Sequence, residues 1–357
     1  MALQKIPGRA IQFDSQVSSD VMYHDGTDWV RLAKGEAGQV LTVNDTATAP
    51  QWGDRFEYGG SEFGYAVMGM TGSGPTDAVD RFSFTSDTNA VDHCDAFSIG
   101  SHLSCSRSMT HGYANAGEIF PHYTVVNRIT KFAFASSVDG TDVADVLVAL
   151  STPSGNTSST HGYVCGGQTA AGLPNLVNTI QKYTTSADAN STDVGDLTET
   201  IIGAYSANSI TYGYRMGGSR PTTPLYTSEI IDKFPFATDS NATDVGNLTL
   251  DRSHGGGHSS ETHGYTSGGT SYAPVSGFRD IIDKFPFASD TNATDVGNLT
   301  ANNGNSAGCS STTFGYHMGG WPNYIDRIEK FPFASDTNAT DIANLVIGRD
   351  DLDGTQN

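Results

Sequence analysis

The stretch DKFPFASDTNATDVGNLT, residues 283–300, occurs three times in nearly the same form. It reads DKFPFATDSNATDVGNLT at 232–249 and EKFPFASDTNATDIANLV at 329–346. Residues that perform chemistry normally occur once in a chain, whereas residues that build a repeat architecture recur at a fixed period. The repetition therefore indicates that this stretch belongs to the scaffold, and that function lies in the segments between its copies.

Two sequence markers give the period. A basic residue followed by an aromatic one recurs at intervals of 50, 51, 51, 51 and 46 residues, at Arg81-Phe82, Lys131-Phe132, Lys182-Tyr183, Lys233-Phe234, Lys284-Phe285 and Lys330-Phe331. A Gly-Tyr pair recurs in parallel, at Gly64-Tyr65, Gly112-Tyr113, Gly162-Tyr163, Gly213-Tyr214, Gly264-Tyr265 and Gly315-Tyr316. Both markers give six repeat units of about fifty residues.

Each unit has the composition of short strands joined by turns. A G-Y-x-x-G-G strand is followed by a variable loop, and then by IIDKFPFA, in which Phe285 and Phe287 alternate with polar residues. The turn SDTNATD leads to a third strand, VGNLT, and a Ser/Gly-rich stretch supplies a fourth. The fold is predicted to be all-β, a six-bladed β-propeller over residues 54–357 with four strands per blade.

The double glycine that ends the first strand resembles the kelch repeat. It stands at Gly166-Gly167, Gly217-Gly218, Gly268-Gly269 and Gly319-Gly320. The downstream Tyr and Trp of kelch units are missing, so a propeller of the regulator-of-chromosome-condensation type remains an alternative. Two segments compete to close the ring, WGDRFEYGG from Trp52 and RDDLDGTQN from Arg349. Because RFEY reads more like a strand, the N-terminal segment is expected to complete the last blade.

Residues 1–53 form a separate β-rich extension by the same reasoning. Asp25-Gly26 is a tight-turn dipeptide between VMYH and TDWVRL, which predicts a hairpin. The pattern Y-x-D-G-T-x-W-x-x-L…G-x-x-G-Q-V-L-T…A-P-x-W-G resembles a module of tail fibres and related appendage proteins of tailed bacteriophages. The resemblance covers roughly residues 19–54. It implies attachment to other virion proteins and a homo-oligomer, with a trimer suspected.

Charge and cysteine content exclude several classes of protein. A net charge of −20 argues against nucleic acid and against an anionic membrane as partners, since both attract clustered Lys and Arg. Cys94, Cys105, Cys165 and Cys309 show neither zinc spacing nor a disulfide pattern, and free, mostly buried thiols are expected. The start MALQKIPGRAIQF lacks an apolar signal core, so synthesis in a host cytoplasm is expected.

Three features were weighed as chemical sites. Asp290, Asn292 and Asp295 carry the oxygen donors that Ca²⁺ prefers, but Asx and Thr side chains also stabilise turns without metal, which is the favoured interpretation. The HGGGH stretch at 254–258 places its two histidines too far apart on a strand for one ion. No nucleophile elbow, phosphate loop or HExxH occurs. We expect no enzyme activity, no cofactor and no metal, with a copper radical oxidase as a remote alternative.

The loops between the double glycine and the basic-aromatic step differ from unit to unit. Propellers place binding residues on such loops. These loops carry seven candidate binding residues, Tyr123, Tyr226, Tyr272, Phe278, Arg279, Trp321 and Tyr324. Aromatic and Arg side chains suit sugar stacking or protein contact. Packing against neighbouring blades is the alternative at equal weight.

These observations predict a virion protein of a tailed bacteriophage, located in the tail or another appendage. Its propeller would bind a host-surface glycan or protein, and its N-terminal segment would bind other virion proteins. The alternative is purely structural decoration of the capsid, neck or tail without host contact.

Overall fold

The computed structural model describes residues 20–35, 39–43, 48–54, 59–169, 175–220, 226–272 and 276–357. No helix occurs in these ranges, and the secondary structure is entirely β. The chain divides into two compact units, Met1–Phe56 and Glu57–Asn357. The all-β prediction is confirmed.

The first unit contains two antiparallel hairpins. Strand β1 (Val21–His24) pairs with β2 (Trp29–Leu32), and β3 (Gln39–Val43) pairs with β4 (Pro50–Asp54). The predicted first hairpin is present, but its loop is longer than a two-residue turn. Asp25 caps that loop because its Oδ1 accepts hydrogen bonds from the backbone N–H groups of Thr27 and Asp28, both at 2.8 Å.

The second unit begins with three long strands, β5 (Phe63–Thr71), β6 (Gly74–Ser83) and β7 (Val91–Ser101). They pair in the order β5-β6-β7 and form the greater part of one sheet. We call it the closing sheet, because it is completed by the other end of the chain.

Five blades follow, and each has four antiparallel strands from one continuous stretch of chain. They are blade 1, with β8 (Ser104–Arg107), β9 (His111–Asn115), β12 (Arg128–Ala133) and β13 (Thr141–Asp145); blade 2, with β14 (Ser154–Thr157), β15 (His161–Cys165), β16 (Thr179–Thr184) and β17 (Thr192–Asp196); blade 3, with β18 (Tyr205–Asn208), β19 (Tyr212–Met216), β22 (Ile230–Pro235) and β23 (Thr243–Asn247); blade 4, with β24 (Gly256–Ser259), β25 (His263–Ser267), β27 (Gly277–Pro286) and β28 (Thr294–Asn303); and blade 5, with β29 (Ala307–Ser310), β30 (Phe314–Met318), β31 (Arg327–Pro332) and β32 (Thr340–Asn344). Short accessory strands lie in the loops, namely β10 (Glu118–Ile119), β11 (Thr124–Val125), β20 (Ser219–Arg220), β21 (Tyr226–Thr227) and β26 (Thr270–Ser271).

The C-terminal segment closes the ring. Strands β33 (Arg349–Asp350) and β34 (Asp353–Gln356) both pair antiparallel with β5. The expectation that the N-terminal segment completes the last blade is therefore wrong: blade 5 is complete from its own residues, and the vacant edge is that of β5. The RFEY residues 55–58 lie outside the described residues.

The innermost strands form a closed cycle. Strands β34, β8, β14, β18, β24 and β29 each contact the next, and β29 contacts β34. From β8 round to β34, a backbone N–H of each strand donates a hydrogen bond to a side chain of the next strand. These bonds are Arg107 N to Thr157 Oγ1, Thr157 N to Asn208 Oδ1, Asn208 N to Ser259 Oγ, Ser259 N to Ser310 Oγ and Ser310 N to Gln356 Oε1.

The repeated aromatic residues form the contacts between blades. In five of the six units, the Tyr of the Gly-Tyr pair stacks on the second Phe of the KFPF segment, or of its equivalent, in the next blade, as in Tyr214–Phe287, where the ring centroids lie 4.9 Å apart. In the remaining unit, the Tyr113 hydroxyl donates to the backbone carbonyl of Thr185 instead. The Gly before that Tyr leaves space for the first aromatic ring of its own blade. A Cβ at Gly264 would lie 2.3 Å from Cζ of Phe285, and the other five units show the same close approach. Both repeat markers thus serve packing.

The repeated polar residues also join neighbouring blades. Lys284 Nζ lies 2.8 Å from Asp336 Oδ1, and Lys131, Lys182, Lys233 and Lys330 form equivalent pairs. Asn292 Oδ1 accepts a hydrogen bond from the backbone N–H of Asn247 in the preceding blade. Asp290 pairs with Lys233, and Asp295 Oδ1 accepts from Gly297 N. The three oxygen donors weighed for calcium therefore have three different protein partners, which favours the turn interpretation.

Other predictions about individual residues have clear outcomes. The four cysteines are free and buried, as predicted. The double glycines adopt positive φ, and Met68-Gly69 and Ala116-Gly117 adopt the same conformation where units one and two lack the first Gly. His258 is buried and bonds the Cys309 carbonyl and Ser267 Oγ, so this member of HGGGH supports the core.

Candidate binding face

One end of the ring collects the segments that do not repeat. In an antiparallel blade, the connection from the second to the third strand lies at the same end as the connection from the fourth strand to the next inner strand. The first of these connections is the variable loop of each unit. We call this end the variable-loop face. The opposite end carries the repeated SDTNATD turns, so the two ends of the ring differ in kind.

The centre of this face is a ring of six residues with left-handed backbone. They are His102, Thr152, Gly203, His254, Asn305 and Asp351, with φ between 49° and 58°. Their backbones hydrogen-bond in sequence around the ring, for example Thr152 N to His102 O at 2.7 Å and His254 N to Gly203 O at 2.7 Å. A non-Gly residue rarely adopts this conformation. The six inner strands surround a central channel, and these six residues line its opening, which we call the mouth.

A histidine between two carboxylates stands at this mouth. His102 Nε2 lies 3.2 Å from Asp351 Oδ2, and its Nδ1 lies 3.9 Å from Glu118 Oε2. Burial, and the neighbouring Glu118 charge, raise the pKa of Asp351 despite His102. Burial and the Asp351 charge raise the pKa of Asp350 to about 7. The cluster can therefore hold protons near neutral pH.

Below the mouth, the channel is narrow and polar. Burial and the charge of His102 lower the pKa of His254 to about 4, and burial raises the pKa of Asp353 to about 7. The cavity there has a volume of about 120 Å³, well below the roughly 300 Å³ at the lower end of small-molecule sites. A Cβ at Gly257 would lie 2.1 Å from Ser206 O, so neighbouring inner strands touch through their backbones. A ligand larger than a few waters is therefore expected on the face itself.

Two variable loops carry the same aromatic arrangement. The sequences Phe120-Pro121-His122-Tyr123 and Trp321-Pro322-Asn323-Tyr324 each contain a cis X-Pro bond and a Tyr at φ 50°. In each, the first and last rings pack edge to face, with centroids 6.1 Å apart in the first and 5.1 Å apart in the second. Phe120, Tyr123 and Trp321 are exposed by 48%, 50% and 36%. We call these the two aromatic pairs.

Both aromatic pairs border the closing sheet. Phe120 N donates to Ile99 O of β7, because β10 extends the sheet beside β7. On the other side, a Cβ at Gly72 would lie 3.6 Å from Cδ2 of Tyr324, in van der Waals contact. The structure thus places Phe120 beside β7 and Tyr324 beside the β5–β6 turn, whereas Trp321 pairs with Gly304 at the entry to blade 5.

The other four predicted residues lie elsewhere on the face. Tyr226 is 48% exposed and belongs to the β20–β21 ribbon of blade 3. Tyr272, Phe278 and Arg279 belong to blade 4 and are partly buried. Phe278 packs beside Gly304, and Arg279 Nε donates to Ser271 Oγ at 3.2 Å. In this region the packing interpretation describes the contacts.

Sequence reasoning missed Phe120 and the charged mouth. A comparison of FPHY with WPNY would have found Phe120, since the two stretches share an aromatic-Pro-x-Tyr pattern. The mouth cluster had no comparable sequence signal, because His102, Glu118 and Asp351 come from distant parts of the chain and meet through ring closure.

Comparisons with known proteins leave the family open. No protein-family model matches this chain, and no curated protein is significantly similar to it. Among the described residues, no helical segment has the length and apolarity needed to cross a membrane. Within the same residues, no group of three His, Cys, Asp or Glu side chains is arranged to hold a metal ion.

Proposed function

We propose that this chain is a structural protein of a tailed-bacteriophage virion, a tail-fibre-like or other appendage component that binds a host-surface receptor through its variable-loop face. The observation that carries the proposal is that the two ends of the ring differ in which residues they expose. The repeated residues are engaged between blades, whereas the aromatic pairs are exposed at the non-repeating end. Exposed aromatic clusters are typical of binding surfaces.

We further propose that the closing sheet counts as a sixth, kelch-like blade. The support is that β34, β5, β6 and β7 give it the same four-strand order as the other blades. Its C-terminal inner strand joins both ends of the ring, which resists opening of the fold outside the host.

The N-terminal unit is proposed as the attachment and oligomerisation segment. Its strands expose Trp29, Leu41 and Val43 by 51%, 48% and 62%. Apolar side chains so exposed in a small hairpin unit favour burial against another chain. Native mass spectrometry of the full chain tests this: a homotrimer is expected, and a dissociated monomer at micromolar concentration would contradict the oligomer.

The receptor proposal is tested by binding of the full chain to a panel of bacterial strains. Fluorescently labelled protein is expected to bind at least one strain saturably, and unlabelled chain should compete. The variant Ile210→Ala is a matched control, because Ile210 is 70% exposed at a turn on the opposite end of the ring. Binding should survive Ile210→Ala and fall in the double variant Tyr123→Ala/Trp321→Ala.

Purely structural decoration of the virion is the second candidate function. The narrow channel and closed belt of inner strands, which suit a rigid surface module, favour it. Under this alternative, the chain assembles into particles but binds no strain. Labelled virions in which the loop variants adsorb as well as the wild type would support decoration over receptor binding.

A further inference from the structure

The end of the central channel opposite the mouth is surrounded by six polar side chains. Each mouth residue precedes an inner strand, and the fourth residue of that strand lies at the other end of the channel. These fourth residues are Arg107, Thr157, Asn208, Ser259, Ser310 and Gln356. All six line the same cavity as the mouth residues. We call them the collar.

Five collar residues accept a backbone hydrogen bond from the preceding inner strand. The hydroxyl oxygens of Thr157, Ser259 and Ser310 accept at 3.1, 2.8 and 3.0 Å. Asn208 and Gln356 accept through their amide oxygens, at 3.0 and 3.4 Å. A hydroxyl or an amide that accepts in this way still carries its own hydrogens. Within the part of the chain that the structure describes, none of the three hydroxyls donates a hydrogen bond.

The sixth collar position holds the one charged side chain of the set. Arg107 is 5% exposed, and a guanidinium carries N–H donors and no acceptor. It therefore cannot accept a hydrogen bond from Gln356 as the other five accept from their neighbours. The backbone N–H of Arg107 still donates to Thr157, so this strand takes part in the same series of bonds. The collar thus combines hydrogen-bond donors with a positive charge.

We propose that the collar binds a small oxyanion, such as phosphate or sulfate, in the central channel. The oxygens of an oxyanion accept hydrogen bonds, and bonds from a charged donor are the strongest. The planar guanidinium of Arg107 suits two oxygens of one anion. The cavity volume of about 120 Å³ restricts the ligand to a small ion. This site goes beyond the receptor binding proposed above, because the collar and the variable-loop face lie at opposite ends of the ring.

Water and cations fit the collar less well than an anion does. A water molecule needs acceptors for its two hydrogens, and the collar oxygens already accept from backbone N–H groups. A cation would meet the hydrogens of these groups and the charge of Arg107. The chemistry of the collar therefore favours a ligand that only accepts hydrogen bonds.

One carboxyl group, that of Asp353, lines the same cavity and bears on anion binding. Asp353 begins β34 and Gln356 ends it, so the two levels are separated by about 10 Å along the strand. Burial raises the pKa of Asp353 to about 7, so a large part of this carboxyl is neutral near pH 7. Its repulsion of an anion at the collar is therefore weak.

The experiment is calorimetric titration of the full chain with phosphate and with sulfate, at an ionic strength held constant with sodium chloride. At least one of the two anions should bind saturably. Arg107→Gln removes the charge and should lower the association constant by about tenfold or more. Arg107→Lys keeps the charge and should lose less. Arg128→Gln is the matched control, because Arg128 lies outside this cavity, and its affinity should equal that of the wild type.

Thermal unfolding gives a second measurement on the same variants. About 10 mM of the anion that binds should raise the melting temperature of the wild type by mass action, and Arg107→Gln should show little rise. A general salt effect would raise both equally, which would contradict the site.

Anomalous diffraction from wild-type crystals grown with selenate locates the anion even if Arg107→Gln does not fold. Density within hydrogen-bonding distance of Arg107 is expected. The proposal is overturned if neither anion binds the wild-type chain, if Arg107→Gln binds as tightly as the wild type, or if the selenate lies outside the collar.

Discussion

The segment at Lys284-Phe285 and the segment at Trp321–Tyr324 both contain aromatic residues, but Phe285 is buried in the scaffold whereas Trp321 is exposed. Lys284 pairs with Asp336 of the next blade, and the Phe285 ring fills the space above Gly264. Trp321 remains 36% exposed and pairs with Tyr324 of its own loop. The difference teaches that repetition marks residues whose partners are themselves repeated, in the same blade or in the next one. Loops without such partners are free to diverge.

The largest expected effect comes from breaking a buried ion pair between the two middle strands of blade 3. Asp232 lies 2.6 Å from Arg215 Nη2, both side chains are fully buried, and Asp232 also accepts from the Thr198 backbone N–H. Asp232→Ala leaves the buried Arg215 charge compensated only in part, by Glu199 at 3.0 Å, and removing one partner of a buried ion pair costs about 3–5 kcal/mol. Chemical denaturation should show this loss, and binding to a strain that the wild-type chain recognises should be unchanged at temperatures where the variant is folded. A loss below about 1 kcal/mol would show that the blades do not depend on this pair.

The next effect concerns the contact between inner strands. Gly257→Ala would place a Cβ 2.1 Å from Ser206 O, a backbone atom that cannot move alone. Overpacking of this kind costs about 1–3 kcal/mol. Gly72→Ala is the matched control, because its Cβ would meet only Tyr324 at 3.6 Å. Thermal unfolding should separate the two variants, and equal melting temperatures would refute the close packing of the ring.

The closing strand should make stability depend on pH. The pKa of Asp350 rises from 3.8 to about 7 because of burial and the Asp351 charge, so the folded state holds a proton that the unfolded state releases. The protonated carboxyl group therefore favours the folded state at low pH, and this stabilisation is lost as pH rises from about 4 to 7. Asp350→Asn removes this pH dependence. The free energy of unfolding of the variant, relative to that of the wild type, should therefore rise by about 1–2 kcal/mol between pH 5 and pH 8.

His258 provides a control of opposite sign for that pH experiment. Burial lowers its pKa from 6.5 to about 3, so the wild type loses stability as pH falls below 6.5. The stability of His258→Asn relative to the wild type should therefore rise as pH falls toward 5. Denaturant midpoints measured across this pH range test both variants. Parallel pH profiles for Asp350→Asn and His258→Asn would contradict the assigned burial of the two groups.

The smallest effect is expected at the exposed Lys–Asp ion pairs between neighbouring blades. Asp290 pairs with Lys233, but its side chain is 56% exposed. Asp290→Ala should cost about 0–1 kcal/mol, because water screens such pairs. The melting temperature should also stay unchanged when millimolar Ca²⁺ is added to the wild type. A rise of several degrees that disappears in Asp290→Ala would instead restore the calcium interpretation.

The repeat architecture could be predicted because its residues occur in multiple copies. The Gly-Tyr and Lys-Phe markers report two recurring contacts, the Gly against the aromatic ring of its own blade and the Tyr against a Phe of the next blade. Closure could not be predicted from the pattern, since the segments at Trp52 and Arg349 both match the vacant position. The actual choice depends on pairing of Asp353–Gln356 with β5, which is a contact between residues nearly 300 positions apart.

The binding face was predicted at the level of loops and only partly at the level of residues. Aromatic residues in variable loops pointed to Tyr123, Trp321 and Tyr324, which belong to the two aromatic pairs. Composition could not distinguish them from Phe278, whose ring packs near Gly304. Whether a loop aromatic packs or protrudes depends on the backbone of that loop, and a single sequence does not specify it.

The separation of scaffold and binding face is tested most directly by one paired measurement on the double variant Tyr123→Ala/Trp321→Ala. Thermal unfolding and binding to a strain that the wild-type chain recognises are recorded on the same preparation. The account predicts an unchanged melting temperature, within about 2 °C, and loss of most binding. Unchanged binding would show that recognition lies elsewhere. A melting temperature many degrees lower would show that these rings serve the fold.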